Sequence, residues 1–403
     1  MIPPAVWNGV LLGAAIAVAV PISVLLLECV AALWPRSRPL PAAAAAGRRI
    51  AVLIPAHDEE AAIGDTVRAI KSQIQPDDAV LVVADNCTDA TAERARAAGA
   101  DVLERTDATL RGKGYALAFG LRHLAARAPD VVVFIDADTR VHPGAVSALR
   151  DCAGETGRPA QAVNLLDAPP DAGPTALISS FAFLVKNLVR PAGLARLGIP
   201  CLLLGTGMAI PWKLIDIDRL ATGNIVEDMQ LGIDLAIAGT PPILCLEARV
   251  AGSLPSAGRA ALVQRTRWEH GHLGTLLTQT PRLLWHGLTR ARLRLLGMAI
   301  DLAVPPLALL CLLWTGIAAG AAVLAVKGGS PAPAIVSAAT GGALLLSVFL
   351  AWVRHGRHRL PGRVLILAPV YILWKIPVYL AFFFRRQKAW VRTPRDEARR
   401  PAS

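Results

Sequence analysis

Aromatic side chains are scarce in this 403-residue chain, at 5%, which argues against the base-stacking platforms of a nucleic-acid binder despite a net charge of +12. Charged residues reach only 18% against 54% hydrophobic, and the mean hydropathy of +0.47 is too apolar for an ordinary soluble enzyme. No G-x-G-x-x-G follows either of the first two apolar runs expected as strands, which argues against a dinucleotide enzyme. The basic turn Arg111 to Leu117 (R-G-K-G-Y-A-L) lacks the glycine spacing and terminal Ser or Thr of a P-loop. The six cysteines include no C-x-x-C pair and read as reduced thiols of a cytosol-facing protein. No long internal repeat is visible.

What is abundant is unevenly spread. Residues 1–35 are expected to form a transmembrane anchor, because Val6 to Leu33 is almost continuous Ala, Val, Leu and Ile. No basic stretch precedes it, so it is expected to be retained and not removed as a leader. Arg36, Arg38, Arg48 and Arg49 follow, and by the positive-inside rule they put the following residues in the cytosol. Glu28 is expected to snorkel or to pair. Residues 281–296 read as an amphipathic interfacial helix, with Leu284, Leu288, Ala291 and Leu295 opposite Arg282, Arg290, Arg292 and Arg294. Ala176 to Leu194 is also amphipathic, and either the interface or a packed core would suit it. Residues 297–384 carry three apolar runs, about Met298–Val326, Ala334–Val353 and Val364–Phe384. Basic residues fill both the 354–363 loop and the 385–403 tail, which a full span between them would separate. Val364–Phe384, with Pro369, Lys375 and Pro377, is therefore expected to be broken or re-entrant; a third full span is the competing reading.

Between these, residues 48–280 alternate apolar runs with helical stretches, the pattern of an α/β domain with a largely parallel sheet. Strands are expected at Ile50–Pro55, Ala79–Ala84, Val131–Ile135, Gln161–Leu166, Leu202–Ile210 and Ile243–Val250. Helices are expected at Ala61–Gln73, Ala90–Ala98 and Ala116–Arg127.

The chemistry-bearing residues sit at the ends of these runs. Asp136 and Asp138 follow a buried β-branched strand, at the end of an α/β sheet where ligands bind. Spaced by two on extended chain, they would face one way and share a cation, which magnesium accepts together with substrate phosphates. After the first strand, Pro55 to Glu60 (P-A-H-D-E-E) offers His57 and Glu59 to a base, while Asp58 suits a helix cap. Asp85 ends the second strand, placed to accept hydrogen bonds from a nucleoside. Lys113 stands in a glycine-flexed turn suited to an anion or a base edge. Gly205 lies in Leu204 to Met208 (L-G-T-G-M), which permits close backbone approach. Glu227 and Asp228 are adjacent, so only one is expected to face the site. Gln264, Arg267 and Trp268 bring together an amide, a guanidinium suited to a leaving diphosphate and an indole face.

The ordered set P-A-H-D-E-E, D-N-C-T-D-A-T, R-G-K-G-Y-A-L, D-A-D, G-T-G-M, E-D and Q-R-T-R-W resembles membrane-integrated family 2 glycosyltransferases, over about Ile50 to Trp268. The resemblance implies a GT-A fold, a Rossmann-like α/β domain flanked by transmembrane helices, binding a nucleoside-diphosphate sugar with Mg²⁺ or Mn²⁺. It implies that Glu59, Asp85 and Lys113 contact base and ribose, Asp136 the donor and Asp138 the metal. Asp228 would be the general base, with Gln264, Arg267 and Trp268 bordering acceptor and diphosphate. Val226 replaces the Thr of the family's T-E-D, and His57 and Asp58 replace the commoner Tyr and Asn. The expected activity is inverting transfer to a lipid-linked or polysaccharide acceptor at the inner membrane, with the catalytic domain cytosolic, membrane lipids as partners and no nucleic acid. Few C-terminal spans favour single addition, whereas Q-x-x-R-W favours a processive β-polysaccharide synthase. The rival outside enzymes is a transporter or scaffold with a degenerate nucleotide fold.

Overall fold

The computed structural model describes residues 4–35, 47–169, 171–222, 226–254 and 259–384. These fall into two compact units, one built around a sheet (47–171 and 200–267) and one of helices (4–35, 172–199 and 268–384).

The sheet has eight strands: β1 Ile50–Ala56, β2 Ala79–Asp85, β3 Asp101–Arg105, β4 Val131–Phe134, β5 Arg140–Val141, β6 Ala160–Asp167, β7 Met208–Pro211 and β8 Ile243–Ser253. Their spatial order is β3-β2-β1-β4-β7-β6-β8-β5. The half from β3 to β4 is parallel throughout. Its inner strands, such as Ile50–Ala56 and Val131–Phe134, are apolar because both faces are covered. Val52 and Ile54 point into one apolar layer with Ile63, Val67, Ile70 and Leu149. Ala51 and Leu53 point into the other, with Leu117, Leu121, Leu231 and Leu235. The result is a helix–sheet–helix sandwich.

The second half departs from the largely parallel sheet that was expected. β4–β7, β6–β7 and β5–β8 are antiparallel, and only β6–β8 is parallel, with a register shift between Ala162 and Val163. The sheet is therefore mixed. The strand expected over Leu202–Ile210 is mostly loop, because Gly205 and Gly207 adopt φ of +80° and +66°.

In the helical unit, four helices among the described residues are long and apolar enough to cross a membrane: Val6–Ala31, Pro174–Arg196, Leu307–Val326 and Ala332–Gly356. The stretch 174–196, which includes a π-helical turn at Val185–Val189, lies with this unit and not with the sheet. Its buried Arg190 explains Glu28: the guanidinium donates to Glu28 Oε2 at 2.7 Å and to Asp301 Oδ1 at 2.6 Å. The run from Met298 to Val326 is two helices, Leu293–Leu302 and Leu307–Val326, separated at the Pro305-Pro306 pair.

The single amphipathic helix expected over 281–296 is not formed. One helix ends at Thr289, Ala291 takes φ +49°, and a second begins at Leu293. The break splits the expected stripe, burying Leu295 while Leu288 is 69% exposed. Val364–Phe384 lies within three short helices, Gly362–Leu365, Ala368–Trp374 and Ile376–Phe384, none of which has the ~20 residues a crossing needs. Buried Lys375 pairs there with Glu269, to which the Tyr379 hydroxyl also donates at 3.3 Å. The 385–403 tail lies outside the described residues.

Candidate active site

The site grows from the carboxyl ends of the parallel strands. β4 stops at Phe134, and Asp136 to Thr139 form a turn closed by the Thr139 N–H donating to Asp136 O at 3.0 Å. The two aspartates are thus on a turn and not on extended chain, so the expected parallel aim of their side chains does not apply. Asp136 Oδ1 meets Lys113 Nζ at 2.5 Å, while Asp138 is exposed.

Lys113 opens the helix Lys113–Leu124 behind Gly112, whose φ of 128° turns the chain into it. Its ammonium bridges Asp136 and the carbonyl of Gly205, to which it donates at 2.7 Å. Gly205 is needed for space as well as for its φ, since a Cβ there would lie 2.9 Å from Asp228 Oδ2 and 3.2 Å from Lys113 Nζ. Asp228 stands in the first turn of Glu227–Ala238, a position that favours a carboxylate. Val226 caps this helix without a side-chain bond, which the family's Thr would be suited to supply.

Both members of the Glu227–Asp228 pair act on this centre, contrary to the expectation that one would turn away. Burial, then the neighbouring Asp228 charge, push the Glu227 carboxyl up to about 7, against the pull of Lys113. Burial raises Asp228 too, again opposed by Lys113. Burial draws the Lys113 ammonium down, but the Asp136 and Glu227 charges outweigh it and leave it raised. Crowding by the surrounding protein, then the Asp136 charge, raise the Asp138 carboxyl, even though its residue is exposed at the lip of the site. Burial lowers the Arg267 guanidinium, against the opposing pull of the Asp136, Glu227 and Asp138 charges.

A second group surrounds the ends of β1 and β2. Pro55 pairs with Val83 inside the sheet, and His57 Nδ1 lies 2.7 Å from Asp85 O. Asp85 Oδ1 accepts from Arg105 Nη1 at 2.6 Å and from Asn86 Nδ2 at 3.1 Å. Arg105 also donates through Nη2 to Asp107 Oδ2 at 3.0 Å and to Leu110 O at 2.8 Å. Sequence reasoning missed it because β3, its strand, was not recognised. The Glu59 N–H donates to Thr91 Oγ1 at 2.7 Å, fixing that turn against the helix Thr91–Ala97. Asp58, expected to cap the following helix, instead takes φ +51° and accepts from Thr88 N at 2.7 Å. Gln264 Oε1 is buried without a hydrogen-bond partner among the described residues. Trp268 belongs to the helical unit, where its ring lies 5.6 Å from that of Phe183.

Four carboxylates (Asp136, Asp138, Glu227, Asp228) thus share one electrostatic centre with two cations, Lys113 and Arg267. The formal deficit is two charges, and the donor set is entirely oxygen. Both features fit a hard divalent cation held by one or two carboxylates plus substrate phosphates. Among the described residues, the trio Asp58, Cys87 and Asp89 is the one three-ligand cluster, with ligand atoms within 4.8 Å of one another. Its thiol donates to Ala56 O at 3.5 Å, and its sulfur–oxygen mix suits such a cation poorly.

The family description "Glycosyltransferase like family 2" matches residues 47–271, more than half of the chain. The chain belongs to this family. Glucosyl-3-phosphoglycerate synthase of Mycolicibacterium paratuberculosis is 43% identical over 102 residues, covering 24% of this chain and 30% of the relative. The 4,4'-diaponeurosporenoate glycosyltransferase of Staphylococcus aureus is 37% identical over 94 residues, covering 23% of this chain and 24% of the relative. The chain therefore spans less than a third of the length of these curated relatives. In structure it is similar to a mannosyltransferase from Pyrobaculum calidifontis, solved in complex with GDP-Man and Mn²⁺. That likeness has a TM-score of 0.52 at 20% identity and covers 91% of this chain and 99% of the other. It bears on fold, and the fold of this family 2 chain is GT-A.

Proposed function

We propose that the protein is an inverting glycosyltransferase that moves a sugar from a nucleoside-diphosphate sugar to a membrane-associated acceptor, in glycolipid or exopolysaccharide synthesis. The observation that carries this reading is the convergence of Asp136, Lys113, the Gly205 carbonyl, Glu227, Asp228 and Arg267 on one centre at the strand ends. The donor is taken as a UDP-sugar, as the sequence resemblance implies. The acceptor is lipid-linked, and addition is single; a processive synthase would instead extend a polysaccharide.

In this reading Glu59, Asp85 and His57 border the base and ribose beside Pro55, and Asp136 faces the donor. Asp138 would hold Mg²⁺ or Mn²⁺, which when bound supplies charge neutralisation on the diphosphate oxygens. Asp228 accepts the proton of the attacking hydroxyl, and its raised carboxyl brings it nearer the pH at which a base works best. Lys113 and Arg267 stabilise charge on the departing diphosphate. Gln264 borders the acceptor, and Gly205 keeps the wall between Lys113 and Asp228 open.

The protein is further read as multi-pass in the inner membrane with the sheet unit cytosolic, supported by the apolar helices and the basic 354–363 loop. Residues 364–384 then form a re-entrant element. The test is incubation with a labelled α-linked UDP-sugar, Mn²⁺ and a membrane lipid extract. A β-linked glycolipid of one added sugar is expected; an α-linked product would overturn the inverting mechanism. A ladder of products would favour the polysaccharide synthase. Asp138→Ala should abolish metal-dependent donor binding, measured by calorimetry.

A further inference from the structure

The acidic turn and the G-T-G loop come from opposite halves of the sheet, and a buried hydroxyl joins them. The Asp136 N–H donates to Thr206 Oγ1 at 3.0 Å, and Thr206 Oγ1 also lies 3.0 Å from Thr139 Oγ1. Thr206 and Thr139 are only 7% and 3% exposed, so neither hydroxyl has ready water as a substitute partner. The seam continues on both sides. Thr66 Oγ1 donates to Ala137 O at 2.8 Å, holding the turn from below. Gln161, 1% exposed, donates through Nε2 to Thr206 O at 2.9 Å and accepts from Leu204 N at 2.8 Å through Oε1, holding the loop.

Two glycines frame Thr206. Gly205 and Gly207 have φ of +80° and +66°, and a Cβ on Gly207 would lie 2.9 Å from both Ala162 Cβ and Val250 Cγ2. Thr206 is therefore the one side chain of G-T-G, and it is turned inward. On the outer side of the same loop, the Gly205 carbonyl accepts from Lys113, which also holds Asp136. The loop thus reaches the turn twice, through a hydroxyl beneath and an ammonium above.

We propose that Thr206 is a positioning residue for sugar transfer: its hydroxyl keeps the Asp136–Asp138 turn in register with the loop that packs on Asp228. This rests on the nucleotide-sugar reading above. Replacing the hydroxyl by a methyl strands the Asp136 N–H and the Thr139 hydroxyl, and releases the donor-side carboxylates from the base.

The experiment compares full-length Thr206→Val, Thr206→Ser and Thr139→Val in detergent. It measures Mn²⁺-dependent UDP binding by calorimetry, UDP binding without metal, turnover and melting temperature. Thr206→Val is expected to weaken Mn²⁺-dependent binding about tenfold and to leave metal-free binding within about threefold. Thr206→Ser should restore both binding and turnover. Thr139→Val keeps the Asp136 bond and should weaken binding by about two- to fivefold, which keeps the test open if Thr206→Val does not fold. A Thr206→Val protein that melts lower but binds and turns over within about threefold of wild type would reduce Thr206 to fold support and overturn the proposal. So would an unchanged Thr139→Val where Thr206→Val is not obtained. A wild-type protein that binds neither Mn²⁺–UDP nor Mn²⁺–GDP would instead sink the nucleotide-sugar reading, and the proposal with it.

Discussion

Replacing Asp228 by Asn changes two measurable things, and they test different links of the same argument. The amide is close in shape to the carboxylate but cannot take a proton, so the general-base contribution of about 10²–10⁴-fold should vanish from turnover. Donor binding should survive, because the groups assigned to the nucleotide and the metal are elsewhere. The second effect is on Glu227. Its carboxyl stands at about 7 instead of 4.5, through burial first and the Asp228 charge second. Ionising such a group in the fold costs on the order of 3 kcal/mol. As a raised carboxyl, Glu227 contributes its stability fully below pH 4.5 and loses it as pH climbs through about 7. The Asp228→Asn change removes the second cause and leaves the first, so less than half of the Glu227 cost, about 1 kcal/mol, should be recovered above neutrality, in addition to the cost of ionising Asp228 itself. Infrared titration of the buried carboxylic acid band, with denaturant unfolding at pH 5 and pH 8, reads both. Near-normal turnover would refute the base assignment. Collapse of turnover with an unmoved Glu227 titration would refute the electrostatic coupling.

Gly205→Ala places a Cβ 2.9 Å from Asp228 Oδ2 in a residue with φ +80°, and should cut turnover more than donor affinity, as steady-state kinetics would show. Arg105→Met leaves Asp85 without its closest partner and frees the Asp107 turn, so nucleotide affinity should fall by roughly tenfold in calorimetry, with metal affinity unchanged. Lys375→Met removes one partner of the buried pair with Glu269 and should destabilise the helical unit by about 3–5 kcal/mol, read as a lower melting temperature in detergent; Glu269→Gln in the same background should recover part of it.

What could be read from the residues was whatever repeats locally. β1, β2 and β4 were legible because strands covered on both faces become continuous β-branched runs. Asp85, Asp136 and Asp228 stood out as candidates because Asp85 and Asp136 come at strand ends and Asp228 at a helix start. β3 was not: Asp101–Arg105 is D-V-L-E-R, a half-exposed strand whose charges hide its pattern, and Arg105 was lost with it. Strand direction leaves no mark in composition, so the antiparallel β7 could not be foreseen. Ala291 at φ +49° broke a stripe that its sequence gave no reason to break, since alanine rarely adopts that region. Glu28 finds Arg190 162 positions along the chain, and Arg190 finds Asp301 a further 111 on, separations that no window along the chain spans. Lys113 is the instructive case. Its turn was recognised as a place for an anion or a base, but nothing local named the three carboxylates, Asp136, Glu227 and Asp228, that folding gathers around it.

The account rests on these acids forming a single donor site, and calorimetric titration of the full chain with a UDP-sugar, with and without Mn²⁺, tests that most directly. Saturable binding that requires the metal and disappears in Asp136→Asn and Asp138→Ala alike is the predicted result. Binding of no nucleoside-diphosphate sugar under either condition, or binding indifferent to both substitutions, would contradict it.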